Sequence, residues 1–548
     1  MIKNILIILK KIILPIFVLL MLLLSLRGIM GNPTNTTLNS DTFKLNGPFE
    51  LSPERGRFAL TYSLVEDKSL IFSIPVARFA TPDLGFWKGN YVSLFAPGVS
   101  LITIPGYMIG KLFGASQAGA FAIIALFALG NFILIKKLSE GFGATTYAAT
   151  LGGVVFLFAT PAFSYAINLY EHHISVFFIL LGIYFLSKKR RNWIDLFLIW
   201  FLCATSIVVD YPNVFLMAPI GLAALLDLVN IEKFTNAIKI KIKPLILLTF
   251  LGMVLPLVVF TSINYYSYGS PFRLAGSIPY IAQLNREGKP VIPKNSAIKS
   301  LAELSDLGEQ SVINFFQTRN LLNGFYIHFL SPDRGIIYYA PVILFGIAGI
   351  IVSYKKREKH LALLLSIIGV DVLLYSMWGD PWGGWAFGSR YLIPTYAIMA
   401  IFVAIALTKY GKKWIFIVLF GITLCYSLAV NTLGAITTSA LPPQVQVLAL
   451  EKLSGTIQRY TYQRNWEFLL AGHSKSFVFQ TWLSGLMTPL EYFYMLTTSI
   501  ILVALGNITA LLLENKSIRA TIVQRCILSF LHYKKRFSLL VNRNNNEE

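Results

Sequence analysis

The chain reads as an all-α polytopic membrane protein of about twelve transmembrane helices, within a range of roughly 10 to 13, with amphipathic helices in its first outer loop. Three observations predict this class. Of 548 residues, 55% are hydrophobic and 13% charged, with mean hydropathy +0.64, whereas soluble domains carry about 25% charge. Apolar runs near spanning length recur at 11–29, 117–136, 144–161, 172–187, 193–208, 211–229, 244–264, 336–354, 360–378, 391–408, 414–434 and 490–513. The net charge of +21 is gathered in clumps beside these runs. Such clumps are topology signals, and the sequence offers no broad soluble basic face to hold a nucleic acid.

The first run, "KKIILPIFVLLMLLLSLRGIMG", is followed by no A-x-A-like cleavage site, so it is expected as an uncleaved span rather than a signal peptide. The positive-inside rule then orders the rest. Lys10/Lys11, Lys136/Lys137, Lys188 to Arg191, the Lys233 to Lys243 run, Lys355 to Lys359, Lys409 to Lys413 and Lys534 to Arg536 must share one side. Twelve crossings place all of them in the cytoplasm of a plasma-membrane protein, with both termini on that side. Counting "GVSLITIPGYMIG" (98–110) as a crossing throws Lys188 to Arg191 outside. That short, proline-bearing stretch is therefore expected at the outer interface or as a re-entrant turn.

The expected organisation is a transmembrane core over 1–434 that includes outer-loop helices within 50–116. An outer segment (435–489), a last transmembrane helix (490–513) and a basic cytoplasmic tail (514–548) follow. Cytoplasmic connections are short, while outer segments 31–116, 265–335 and 435–489 are long and rich in Tyr, Phe, Trp and Pro. Long loops of that composition are more often functional than disordered, which places the function on the outer face. Cys203, Cys425 and Cys526 form no spaced motif, so neither a disulfide framework nor a zinc site is expected.

Chemistry-bearing residues gather on that face. In "LSPERGRFALTYSLVEDKSL", Ser52 and Pro53 read as a cap and first helical residue, with Phe58 and Tyr62 on one face. Glu54 falls in the first turn, either as a complement to the helix dipole or as a working carboxylate. "INLYEHHISVFF" puts Glu171, His172 and His173 at a span entrance, without the i, i+4 spacing of a zinc site. "IVVDYPNVF" sets Asp210 at a tight turn, as a helix cap or as a partner for an Arg such as Arg57. "SPDRGIIYY" places Arg334 at an outward-facing helix start, against both the dipole and the positive-inside bias, which favours an anion there. In "WGDPWGGWAFGSRY", glycines admit close backbone approach, and Trp385 and Tyr391 offer flat faces to sugar or lipid. Arg390 stands just before the next span to meet a phosphate, and Asp380 is placed to orient an Arg or bind a hydroxyl. The plainer alternative for this loop is an interfacial aromatic belt pinned by an Arg–Asp pair.

"PERGRFALTYSLVEDKSL", "KGNYVSLFAPGVSLITIPGY", "FLSPDRGIIYYAPVILFGIAGI" and "WGGWAFGSRYLIPTYAIMAI" together resemble GT-C membrane glycosyltransferases, the superfamily of protein O-mannosyltransferases and lipid A aminoarabinose transferases. Many members read Asp-Glu-Gly-Arg-Tyr in the first loop. Glu54 matches the Asp, Gly56 the Gly, Arg57 the Arg and Phe58 the Tyr, while Arg55 stands where the family has Glu. The resemblance implies a GT-C-like fold with Glu54 as catalytic base. No Asp-x-Asp motif occurs in this loop, against the metal-dependent oligosaccharyltransferase branch.

The function expected is therefore an inverting, metal-independent transfer of a sugar from a polyprenyl-phosphate donor to a lipid, glycan or protein acceptor on the extracytoplasmic face, without a cofactor. Arg57, Arg334 and Arg390 are expected at the donor phosphate. Tyr62, His172, Asp210, Asp380, Trp385 and Tyr391 are expected at the substrate. Two other classes remain open: a transporter or flippase for a lipid-linked glycan, and a catalytically inactive scaffold that kept the fold. A transporter calls for polar residues deep in several spans and paired broken helices, which the sequence does not display.

Overall fold

A computed structural model describes residues 2–234, 237–242, 247–292, 303 and 315–514. The expected basic tail and Cys526 lie outside the described residues, as does part of the outer segment 265–335. Among the described residues, five helices are long and apolar enough to cross a membrane: Ser116–Gly141, Leu248–Tyr268, Arg390–Tyr410, Trp414–Ile436 and Pro489–Leu513. Seven shorter apolar helices accompany them, at Ile12–Ser25, Thr146–Phe158, His172–Ser187, Trp193–Val209, Asn213–Leu226, Pro341–Lys355 and Leu361–Ser376.

Helix Ile393–Tyr410 is buried along nearly its whole length and forms the centre of the bundle. Small residues let neighbours approach it, since lipid supplies no hydrophobic drive and packing must come from close backbone contact. A Cβ on Gly349 would meet the Phe402 carbonyl oxygen at 1.9 Å. The stretch 98–110 belongs to one helix, Gly98–Leu112, that runs through Pro105 and pairs with Ser116–Gly141. Its seam is glycine on glycine, for a Cβ on Gly119 would lie 2.1 Å from the Gly106 carbonyl oxygen.

The expectation of a purely helical chain needs correcting at two places. Strand Leu84–Trp87 pairs antiparallel with Asn90–Ser93 and, on its other edge, with Tyr280–Ile281, in register Leu84↔Ser93 and Leu84↔Ile281. Lys88 and Gly89 turn the hairpin with positive φ at both positions (46° and 82°), the backbone a two-residue type I′ loop requires. A second hairpin, Val229–Phe234 with Ala237–Ile242, occupies part of the basic run read as a simple cytoplasmic connection.

The first outer-loop helix also differs from expectation. It runs Ser52–Tyr62 with Leu51 in the cap position, and every residue from Glu54 to Tyr62 is buried. It is thus enclosed by the loop fold around it rather than lying as an amphipathic surface helix. Ser52 does not cap it, because its hydroxyl donates to Asp83 Oδ2 at 2.5 Å. Segment 435–489 folds back on the start of the chain: Phe477 N donates to the Leu26 carbonyl at 2.7 Å and Ser476 Oγ to that of Leu24 at 2.6 Å.

Candidate functional site

Four stretches of chain line a cavity of about 540 Å³. They are Glu50 to Pro53 with Arg55 at the start of helix Ser52–Tyr62, Pro82 with Asp83, Tyr170 ahead of helix His172–Ser187, and the loop from Trp378 to Tyr391. The same helices carry basic clusters at their other ends. His172–Ser187 leads to Lys188, Arg390–Tyr410 to Lys409 and Lys413, and Leu361–Ser376 starts just after Arg357 and Lys359. The cavity therefore sits at the end of the bundle opposite the positive clusters.

The loop is built from its own composition. Asp380 accepts from Trp382 N at 3.2 Å and Gly384 N at 2.6 Å, closing a tight turn that Gly383 and Gly384 enter with φ of 70° and 63°. A Cβ on Gly383 would sit 3.0 Å from Arg390 Nε, so the glycine leaves that guanidinium room. Arg334 secures the turn from behind: it donates to the carbonyls of Trp382 (3.1 Å), Gly384 (3.0 Å), Leu441 (3.0 Å) and Asp333 (2.8 Å). Trp385 Nε1 donates to Gln446 Oε1 at 2.9 Å and keeps the indole in the wall.

Arg390 is the cation this loop presents. It pairs with no carboxylate among the described residues, and it lies over the rings of Tyr170 and Tyr391 at 4.9 and 5.4 Å. Tyr391 is in turn stacked on Tyr375 at 4.3 Å and 7°. Arg55 lines the same cavity and donates to the carbonyls of Glu50 (3.1 Å) and Thr81 (3.3 Å), again without a carboxylate partner. Two guanidinium groups that touch no carboxylate among the described residues, held by rings and carbonyls, suit an anion that arrives from outside.

The acidic groups divide by how far they are engaged. Glu50 lines the cavity but binds Arg27 at 2.8 Å and accepts from Ser439 N at 2.8 Å, with Lys475 Nζ 3.7 Å away. Burial opposes its charge, yet Arg27 and Lys475 hold the carboxyl down to about 2. Asp380 is taken up by its turn. Asp83 lines the cavity with only Oδ2 engaged, by the Ser52 hydroxyl. Glu54 is fully buried and outside the lining; Oε2 accepts from Glu50 N at 3.0 Å and Leu51 N at 3.1 Å, while Oε1 has no partner. Burial and the nearby Glu50 charge push its carboxyl above the ordinary value, against the pull of Arg27.

Behind the wall, Arg57 forms a buried ion pair with Glu171, and its guanidinium lies 5.2 Å from the Tyr170 ring centre. Arg57 and Arg390 thus both rest on Tyr170. Asp210 faces this group; burial first, then the Glu171 charge, push its carboxyl up to about 8 despite Arg57 and Arg390. Burial also opposes the charge of Glu171, but Arg57 holds that carboxyl down to about 2.

Of the residues singled out in the sequence, Asp380, Trp385, Arg390 and Tyr391 stand together in the cavity wall. The others do not. Arg334, expected at the phosphate, is buried and bound to four carbonyls. Arg57, expected there too, neutralises Glu171 rather than Asp210. Tyr62 donates to Asn35 Oδ1 at 3.3 Å, and His172 stacks on Tyr170 at 5.6 Å. Sequence reasoning passed over Glu50, Asp83, Tyr170 and the cavity position of Arg55. A signal existed for the Glu50 group: Arg27 stands at the outward end of the first span, the same positive-inside anomaly noted at Arg334.

No protein-family model and no curated protein matches the chain. Among solved structures, ArnT from Cupriavidus metallidurans in the apo state is similar at 13% identity, over 92% of this chain and 75% of that one, with a TM-score of 0.44. ArnT from the same organism bound to undecaprenyl phosphate is similar at 12% identity, over 92% of this chain and 76% of that one, with a TM-score of 0.42.

Proposed function

We propose that the chain is a GT-C-like membrane glycosyltransferase that moves a sugar from a polyprenyl-phosphate donor to a hydroxyl acceptor on the extracytoplasmic face. The observation that carries this reading is Arg390: a guanidinium that touches no carboxylate among the described residues, seated on two tyrosine faces in a cavity at the end of an apolar bundle opposite its basic clusters. A phosphate at headgroup level meets Arg390 and Arg55, while the prenyl chain remains among the helices. Trp378 and Trp385 supply flat faces for the sugar.

Transfer then needs little movement of charge. The acceptor oxygen attacks the anomeric carbon from the side opposite the phosphate, the bond from that carbon to the phosphate oxygen breaks, and prenyl phosphate leaves with the electron pair. Arg390 and Arg55 stabilise the charge that develops on the leaving phosphate. Asp83, the cavity carboxylate with an uncommitted oxygen, takes the acceptor's proton. Arg57, Arg334, Tyr62, His172, Asp210 and Asp380 act by holding the wall, through the contacts described above. A second reading gives the proton to Glu54, which matches the family's Asp; its buried, partnerless Oε1 and raised carboxyl favour that assignment.

The test is to offer purified protein a panel of prenyl-phosphate sugars with candidate acceptors and to follow release of prenyl phosphate. Acceptor-dependent release from one donor is expected. Saturable binding of prenyl-phosphate sugars with no turnover across the panel would instead favour the transporter or inactive-scaffold readings.

A further inference from the structure

A second cavity, of about 520 Å³, lies beside the first. Its walls are Gly28 and Ile29 after the first span, Asn46 to Pro48 ahead of the loop helix, and Phe468 to Ser484 of the C-terminal segment. The partition is an ion pair. Glu50 lines the first cavity, Lys475 lines the second, and Lys475 Nζ lies 3.7 Å from Glu50 Oε1. Chain 46–53 thus gives one flank to each cavity, and the Glu50–Lys475 pair, with Arg27 behind Glu50, stands between them.

The second cavity has unspent polar chemistry. Lys475 Nζ has no hydrogen-bond acceptor among the described residues, since 3.7 Å to Glu50 is too long for one, and its side chain is 16% exposed. Gln480 uses its amide nitrogen on the Ser474 carbonyl at 2.8 Å, which leaves its oxygen free. His473 and Asn46 are exposed on the rim, and the rings of Phe468 and Phe479 supply apolar faces. Glu50 meets the ammonium through Oε1 at 3.7 Å while Arg27 and Ser439 hold Oε2, so one carboxylate is shared between two cations. An ammonium with free donors, amide groups and ring faces in a space of ligand size, typically roughly 300–1,000 Å³, matches a sugar that carries a negative charge.

We propose that this second cavity binds an anionic saccharide, through a carboxylate or phosphate on Lys475, as the acceptor of the transfer. The role as acceptor rests on the transfer reading above; the binding itself does not. A saccharide seated there reaches the first cavity, where Arg390 and Asp83 stand, once the Glu50–Lys475 pair opens. Binding of the anion also draws Lys475 from Glu50, so occupancy of the second cavity loosens the partition.

The experiment measures binding of glucuronate, glucose 6-phosphate, glucose and inorganic phosphate to the full chain in detergent, without donor. Glucuronate and glucose 6-phosphate are expected to bind at least tenfold more tightly than glucose or inorganic phosphate. Lys475→Gln is expected to remove that advantage. Asn46→Trp fills the cavity from its exposed rim, touches nothing in the first cavity, and is expected to block all binding while melting temperature and elution volume stay those of the parent. Saturating farnesyl phosphate, a probe for the first cavity, is expected to leave the saccharide in place. Equal binding of inorganic phosphate, displacement by farnesyl phosphate, or indifference to both substitutions overturns the proposal. Because no donor is present, the chain can fail as a glycosyltransferase and still pass this test, and the reverse.

Discussion

Glu54→Gln and Asp83→Asn separate a carboxylate that builds the site from one that reacts. Glu54 Oε2 accepts two backbone N–H groups, from Glu50 and Leu51, at the start of the buried helix. A glutamine carbonyl accepts the same two bonds, so Glu54→Gln preserves the helix start. Glu54→Ala strands both donors, at about 1 kcal/mol each for a lost cap and more where water cannot reach them. Asp83→Asn keeps an acceptor for the Ser52 hydroxyl but removes the negative charge that takes a proton. Loss of a general base costs roughly 10²–10⁴ in rate. Single-turnover release of prenyl phosphate at saturating donor, with melting temperature followed in parallel, reads both effects. Expected are a loss of about 10²–10⁴ for Asp83→Asn at parental melting temperature, a loss below tenfold for Glu54→Gln, and a lowered melting temperature for Glu54→Ala. The inverse pattern refutes the reasoning. If Glu54→Gln is dead and stable while Asp83→Asn turns over, the proton travels to Oε1 of Glu54 and Asp83 is wall.

Arg390→Lys replaces a fork with a point charge, and donor affinity is expected to fall by about tenfold, one charge-assisted bond of roughly 1.5–3 kcal/mol being weakened rather than lost; titration with a prenyl phosphate checks it. Tyr170 supports Arg390 with its ring, and its buried hydroxyl has no partner, so Tyr170→Phe is expected to match the parent. Tyr170→Leu is expected to weaken donor binding by roughly the 0.5–2 kcal/mol of a cation–π contact. Asp210 has its carboxyl raised to about 8 in the folded chain. Its neutral form therefore favours folding: the contribution is complete below the ordinary value of 3.8 and is lost as pH rises through about 8. Asp210→Asn is expected to flatten the fall of melting temperature as pH rises from 3.8 to about 8, and an unchanged slope across that window counts against the assignment.

What the sequence revealed about the fold followed from periodicity and charge. Apolar runs beside basic clumps located the helices, because both signals are local. The hairpin at Lys88 and Gly89 escaped for a related reason: its strands are four residues long and half enclosed, too short for alternation to register. The partition around Glu50 depends on contacts far apart in the chain. Arg27 lies 23 residues before Glu50, and Ser439 lies 389 residues after it. No spacing rule joins such positions.

Arg334 and Arg390 show why one anomaly has two physical outcomes. Both are arginines at outward helix starts, where the dipole and the membrane bias disfavour positive charge. A guanidinium there must find negative density, and the sequence identifies that need without naming its source. Arg334 meets it with four carbonyl oxygens, two of them, of Trp382 and Gly384, in the turn that Gly383 and Gly384 make with positive φ. Arg390 meets the faces of two tyrosines and no carboxylate in ion-pair contact among the described residues, and its Nε has no partner there. The first arginine shapes the loop, and the second uses the shape. That division explains why a connection of fourteen residues carries three tryptophans, an aspartate and an arginine: the aspartate and glycines form the turn, Arg334 fixes it, and Arg390 is thereby presented to the cavity.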